Sequence, residues 1–321
     1  MTKTKMRIVR RIAAVAATVL GIAWTGLGET VTNVRGSQRT DSNLVDIYYD
    51  LNGVYGVKYT IEVAIEGRSS EVKATTFSGD VGDGISPGKD LHVVWNAGAD
   101  WPGKKGDVKA IVTATKLKKV QLWKDGPYWS TTNIGADDPW DYGLYFWWGD
   151  TVGHRPTGTT FDFDFGENNS AIYTYGKDMT ELQSEGWVTS DGVLAPQHDA
   201  AHVKWGGSWR MPTEQELHDL WYNCDWMRTT MNGVAGFVVS GRGDYDSNSI
   251  FLPLAGYGGA TSLSDAGSGT YSRGFCWSSV PDSAHAGNYS ESLYFTQNYQ
   301  QMPSSCRYYG YSIRPVQGFN E

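Results

Sequence analysis

Acid/base chemistry would need carboxylates and an imidazole close together, and the stretch WGGSWRMPTEQELHDLW, Trp205 to Trp221, offers Glu214, Glu216 and His218 within five positions. The local pattern favours a scaffold instead. Thr213 and Glu216 have capping-box spacing, so the hydroxyl and the carboxylate can each satisfy a free helix N–H. Glu214 and Glu216 then lie where the helix dipole favours negative charge. Leu217, Leu220, Trp221 and Cys224 recur at helical spacing as one buried stripe that leaves Glu214, His218 and Asp219 off it. His198 and His202 are four apart, a metal-ligand spacing on a helix, but a helix so close to Gly206 and Gly207 is not expected, so they read as structural or surface histidines. Asp162, Asp164 and Glu167 in FDFDFGE are oxygen donors of the kind calcium takes; aspartates alternating with phenylalanines are more simply the solvent face of a strand. Calcium is the one cofactor the sequence suggests.

The elements that must position these residues start after a leader. Lys3, Lys5, Arg7, Arg10 and Arg11 precede an uncharged apolar run, Ile12 to Trp24, followed by Gly26 and Gly28, so residues 1–28 read as a secretory signal peptide with no membrane span in the mature chain. The whole chain has 27 Lys and Arg against 35 Asp and Glu. Losing the basic leader makes the mature protein more acidic still, which excludes a nucleic-acid partner. Three cysteines in an exported chain suggest one bridge and one buried thiol. Cys224, on the helix stripe, is the expected thiol, and Cys276 and Cys306 are the candidate bridge if they meet.

From Thr30 to Lys116 apolar residues alternate, as in Val45, Ile47, Tyr49, Leu51 and in Tyr59, Ile61, Val63, Ile65. Short strands separated by Gly, Pro and Asp turns indicate a β-sandwich of immunoglobulin-like size over 29–117. KLKK, Lys116 to Lys119, marks the boundary, and 118–321 is rich in Trp, Tyr, Gly and Ser, with short strands, long loops, the helix near 213–223 and a second short helix expected near Asp138 to Tyr142. GRGDY reads as a hairpin turn.

Four ordered segments carry a resemblance: DAAHVKWGGSWRMPTEQELHDLWYNCDW, NSIFLPLAGY, FCWSSV and YGYSIRPV. Over Val120 to Val316 the chain resembles the Fibrobacter succinogenes major paralogous domain, a secreted bacterial relative of the formylglycine-generating enzymes, and both look like variants of the C-type lectin-like fold. The expected fold class is therefore mainly β plus α+β: an N-terminal β-sandwich followed by a loop-rich C-type lectin-like domain. Formylglycine-generating enzymes use a close pair of cysteines that bind copper; here only Cys306 lies in the matching segment, which argues against that oxidoreductase activity. Other relatives are variable proteins of diversity-generating retroelements, and the resemblance implies a ligand face built from the last strands.

Asn288 to Tyr311 is dense in Tyr, Ser, Asn and Gln, residue types that give rigid contact area and adaptable hydrogen bonds. The expected ligand-binding residues are Tyr289, Tyr294, Asn298, Tyr299, Gln300, Arg307, Tyr308 and Tyr309, facing an extracellular protein or glycan at a bacterial cell surface or in the secreted medium. The alternatives are a formylglycine-generating-type oxidoreductase through Cys306 and a structural envelope component. Trp123, Trp129, Trp140, Trp147, Trp148 and Trp187 could stack on sugars, although most tryptophans in such a fold are core.

Overall fold

The computed structural model describes residues 30–54, 57–67, 72–104, 106–267, 269–284 and 287–318. The expected leader, 1–28, lies outside the described residues. The chain divides into two compact units between Leu117 and Lys118.

The first unit contains β1 (Thr30–Gln38), β2 (Leu44–Asn52), β3 (Tyr59–Gly67), β4 (Phe77–Gly79), β5 (Gly82–Ile85), β6 (Gly88–Asn96), the short α1 (Ala97–Asp100) and β7 (Val108–Lys116). All pairings are antiparallel, in one sheet of order β1-β2-β6-β4 and another of order β5-β3-β7. The period-two pattern explains the pairing of faces, because Val45, Ile47, Leu51, Val93 and Trp95 of one sheet and Ile61, Ile65, Val108 and Val112 of the other are all buried. Val34, Val45, Ile47, Trp95, Ile65 and Val108 border one interior gap, so the sheets face each other as a sandwich.

The second unit contains β8 (Lys119–Gln121), β9 (Tyr128–Ser130), β10 (Thr160–Phe165), α2 (Met179–Ser184), α3 (Ala200–Trp205), β11 (Trp209–Arg210), α4 (Glu214–Asn223), β12 (Asp225–Met231), β13 (Val234–Ser240), β14 (Ser249–Pro253), β15 (Tyr257–Ser264), β16 (Arg273–Pro281), β17 (Tyr289–Thr296), β18 (Gln300–Gln301), β19 (Ser304–Cys306) and β20 (Val316–Gln317). Its first and last strands share one sheet, β11-β20-β9-β8, which closes the unit on itself. A meander β12-β13-β14, a pair β10-β15 and a sheet centred on β17 complete it. The core is aromatic: Trp148 and Trp277 are fully buried beside Phe146 and Ile313. Their indole N–H groups are satisfied by backbone, Trp148 donating to the Ser278 carbonyl at 3.0 Å and Trp277 to the Phe146 carbonyl at 2.8 Å.

The helix at 214–223 forms as its spacing predicts. Thr213 and Glu216 make both halves of the capping box, and Leu217, Leu220 and Cys224 are buried. Two expectations change. A helix does form immediately before Gly206: Asp199 caps α3 by accepting from the Ala201 and His202 amides, and Gly206, at φ 67°, ends it, so the glycine is a terminator and not an obstacle. Asp138 to Tyr142 is a turn and not a helix, held by the Asp141 amide on the Asp138 carbonyl at 3.1 Å. GRGDY connects β13 to β14 through a single helical turn at Gly243–Tyr245.

Candidate binding face

Strand β17 organises the C-terminal segment. Its first residues, Tyr289 to Glu291, pair with Cys306, Ser305 and Ser304 of β19, while Tyr294 and Phe295 pair with Gln301 and Gln300 of β18. This register brings Tyr289 beside Cys306, and the Cys306 side chain interacts with the phenols of both Tyr289 and Tyr308. The Cys306 interaction holds the Tyr289 phenol above its usual range, and burial followed by the same sulfur does so for Tyr308, so both phenols are neutral at neutral pH.

From Tyr308 the aromatic contacts run in both directions. Tyr175 meets Tyr308 edge-on at 5.2 Å, Tyr308 meets Tyr309 at 4.7 Å, and Tyr309 meets Tyr257 at 5.3 Å. Tyr175, Tyr257, Tyr289, Tyr308 and Tyr309 are all half-buried, and the rings of Tyr175, Tyr257, Tyr308 and Tyr309 are seated on the core. Four phenols fixed this way form a preorganised amphipathic surface.

The expected residues divide accordingly. Tyr289, Tyr308 and Tyr309 belong to the band. Tyr299 is 49 % exposed next to Tyr294, and Asn298 is exposed at the turn, where its amide is held by the Thr296 hydroxyl. Gln300 is half-buried on β18. Tyr294 is 8 % exposed and packs against Phe275, so it supports the face from within. Arg307 does not set the polarity of an outer surface: it is 1 % exposed and turned inward. Its Nε donates to the Tyr289 carbonyl at 2.9 Å and the Ser290 hydroxyl at 3.0 Å, and its Nη1 donates to the carbonyls of Thr174 at 2.9 Å, Lys177 at 2.8 Å and Gly287 at 3.0 Å. Backbone carbonyls facing inward need a donor, and one planar fork supplies several.

Tyr175 and Tyr257 were missed by sequence reasoning. Tyr175 comes from IYTYG, a loop whose return to the C-terminal strands is set by Arg307 and by the Gly176 amide on the Gly287 carbonyl at 2.8 Å. No local pattern reports such a closure. The YTY alternation was the only available signal, and it places Tyr173 and Tyr175 on one side of an extended segment.

The cysteine bridge does not form: all three cysteines are free. Cys276 on β16 is opposite Leu293, and Cys306 on β19 is opposite Tyr289, on the other edge of β17. Two strand spacings, about 9–10 Å, plus four residues along the strand exceed the roughly 7 Å that a bridge can span. Cys276 is buried, and burial pushes its thiol up to about 11; burial likewise pushes Cys224 up to about 12.

The remaining candidates are dispersed. Glu216 makes a two-pronged ion pair with Arg210, Oε1 to Nη2 at 2.6 Å and Oε2 to Nη1 at 2.7 Å, so its carboxylate is occupied. His198 stacks on Trp187 with ring centres 3.8 Å apart, and burial lowers its pKa. Asp162 and Asp164 line the exposed side of β10 while Phe161 and Phe165 are buried, the strand reading of that motif. Among the described residues, no three His, Cys, Asp or Glu side chains are grouped as a metal site, and no helix is long and apolar enough to cross a membrane.

Compared with known proteins, the chain matches no family model, no curated protein and no solved structure.

Proposed function

We propose that this is an exported, non-enzymatic binding protein that recognises an extracellular protein or glycan through the C-terminal face of its second unit. One observation carries the reading: the continuous band Tyr175, Tyr308, Tyr309, Tyr257, with Tyr289 locked beside it through Cys306. A surface built for solvent alone has no reason to hold four half-buried phenols in continuous contact, whereas large rigid aromatic area with polar tips is what a recognition surface uses. The same reading takes the second unit as a C-type lectin-like domain of the Fibrobacter succinogenes major paralogous type, and the sandwich as a spacer module. The paired first and last strands and the loop-rich interior support that assignment. Copper chemistry of the formylglycine-generating kind has less support, because the neighbours of Cys306 are phenols and the Cys276 thiol lies across β17.

The test is binding of the purified chain to arrays of bacterial surface proteins and glycans, beside a variant with Tyr299, Tyr308 and Tyr309 all changed to Ala. Tyr294 stays in place because it supports the core. Binding present in the parent and lost in a folded variant is expected. Equal binding by both would reject the C-terminal face.

A further inference from the structure

Of the six tryptophans that sequence offers as sugar platforms, Trp129, Trp140, Trp147 and Trp148 are buried, while Trp123 and Trp187 are half-buried. Trp187 lies next to Tyr173, whose ring is 59 % exposed, among the most exposed large apolar side chains of the described residues. The two rings are inclined by 27° with centres 6.4 Å apart, an offset arrangement that leaves part of each face uncovered. Trp147 stands steeply beneath both, at 6.4 Å and 72° from Tyr173 and at 6.3 Å and 56° from Trp187. His198 backs Trp187. Tyr173 also borders an open cleft of about 310 Å³ whose other walls include Glu167, Asn168, Ser170, Tyr175 and Lys177.

We propose that this cleft is a binding site for a neutral saccharide, with Tyr173 as the stacking platform and Glu167, Asn168 and Ser170 as partners of the sugar hydroxyls. The C–H face of a pyranose is apolar and matches an uncovered aromatic ring, while its edge needs both donors and acceptors. Glu167, Asn168 and Ser170 are exposed and use no side-chain atom in hydrogen bonds among the described residues, so their donors and acceptors face the cleft and solvent. An anionic ligand is disfavoured. Lys177, the cleft's cation, is already paired with Glu185, and Glu167 adds negative charge to a chain of formal net charge −8. A protein hot spot is disfavoured as well, because the rim around Tyr173 is amide, hydroxyl and carboxylate, not the dry apolar surround that such anchors need.

The cleft is preorganised. Asn169 does not face a ligand but pins the turn, its Nδ2 donating to the Asp164 carbonyl at 2.7 Å and its Oδ1 accepting from the Ala171 amide at 3.0 Å. Thr174 holds the far side through its hydroxyl on the Trp148 carbonyl at 2.7 Å. A loop fixed at both flanks loses little entropy on binding. Of the C-terminal tyrosine band, Tyr175 alone borders this cleft, so the cleft and the proposed C-terminal face share that one residue.

The experiment titrates the full chain with hexasaccharides of glucose, mannose, galactose, xylose and N-acetylglucosamine, followed by calorimetry and tryptophan fluorescence. We expect one series to bind and to perturb the fluorescence, Tyr173→Ala to weaken it at least about tenfold, and Tyr299→Ala to leave it within about twofold. Failure of the parent to bind any of the five overturns the proposal, as does a folded Tyr173→Ala variant that binds like the parent. Should Tyr173→Ala unfold, the double variant Asn168→Ala, Ser170→Ala decides: weakened binding supports the site, and unchanged binding overturns it.

Discussion

The Arg307 guanidinium lies over the Trp148 ring, 4.9 Å from its centre, inside a wall of backbone carbonyls. Burial pulls its pKa down to about 10, which leaves it charged at neutral pH. The charge is stabilised by the indole face and by neutral acceptors from three segments: the 174–177 loop, Gly287, and the start of β17. Arg307 thus ties the loop carrying Tyr173 and Tyr175 to the strand carrying Tyr289. Arg307→Lys keeps a charge but loses the fork, and should cost at least about 3 kcal/mol by leaving buried carbonyls without donors. Urea unfolding monitored at the tryptophans measures this; a loss below about 1 kcal/mol would mean that the carbonyls find water instead.

Gly287 provides a second tie at the same place. Its φ is 82°, and a Cβ there would come within 2.7 Å of the Gly176 carbonyl carbon. Backbone cannot yield as a side-chain tip can. Gly287→Ala should therefore destabilise by more than the roughly 1–2 kcal/mol of left-handed backbone alone. Gly192, at φ 80° with open space around it, is the matched control, and thermal melts of the two alanine variants should separate them. Equal melting temperatures would show that the 176–287 contact is not tight.

Much of the framework is legible in the residues themselves. Alternation in Val45, Ile47 and Leu51 gives the sandwich strands, and the Thr213–Glu216 spacing gives both the start and the buried stripe of α4, because these signals are local and repeat with the period of the element. The binding face is less legible. Tyrosine density points to the segment, but whether Tyr294 looks inward or Tyr309 outward depends on the register of β17 against β18 and β19, which no short pattern encodes. Arg307 illustrates the limit most clearly. An arginine among tyrosines reads as a ligand contact, and the carbonyls it serves at Thr174 and Lys177 belong to a loop about 130 positions earlier.

Glu216 links acid stability to the scaffold. Burial would raise its pKa, but the Arg210 fork and the Thr213 donors outweigh that and hold the carboxyl below its usual range. A depressed folded-state value contributes stability that is complete above the ordinary glutamate range and is lost as pH falls through the folded value. Glu216→Gln should lower stability at pH 7 by about 1–3 kcal/mol, with the difference from the parent shrinking below pH 4. Denaturation midpoints at pH 7, 5 and 3.5 give the comparison. A deficit that stays constant over this range would place the contribution in packing and not in the ion pair.

The free cysteines yield a prediction that separates burial from bonding. Cys224 and Cys276 are buried with thiols pushed up to about 12 and about 11, whereas Cys306 is half-exposed in the tyrosine band. The thiolate is the reacting species, so native protein at pH 8 should take up one equivalent of iodoacetamide, at Cys306, and denatured protein without reductant should take up three. Peptide mapping by mass spectrometry locates each label. If oxidised, denatured protein takes up only one label and yields a peptide joining Cys276 to Cys306, the register of β17 given above is wrong, because two strands on opposite edges of a third cannot bring those sulfurs together. Labelling at Cys306 should also be slowed by any ligand that covers Tyr289 and Tyr308, since Tyr289 lies opposite it in the strand register and Tyr308 is its neighbour but one along the chain.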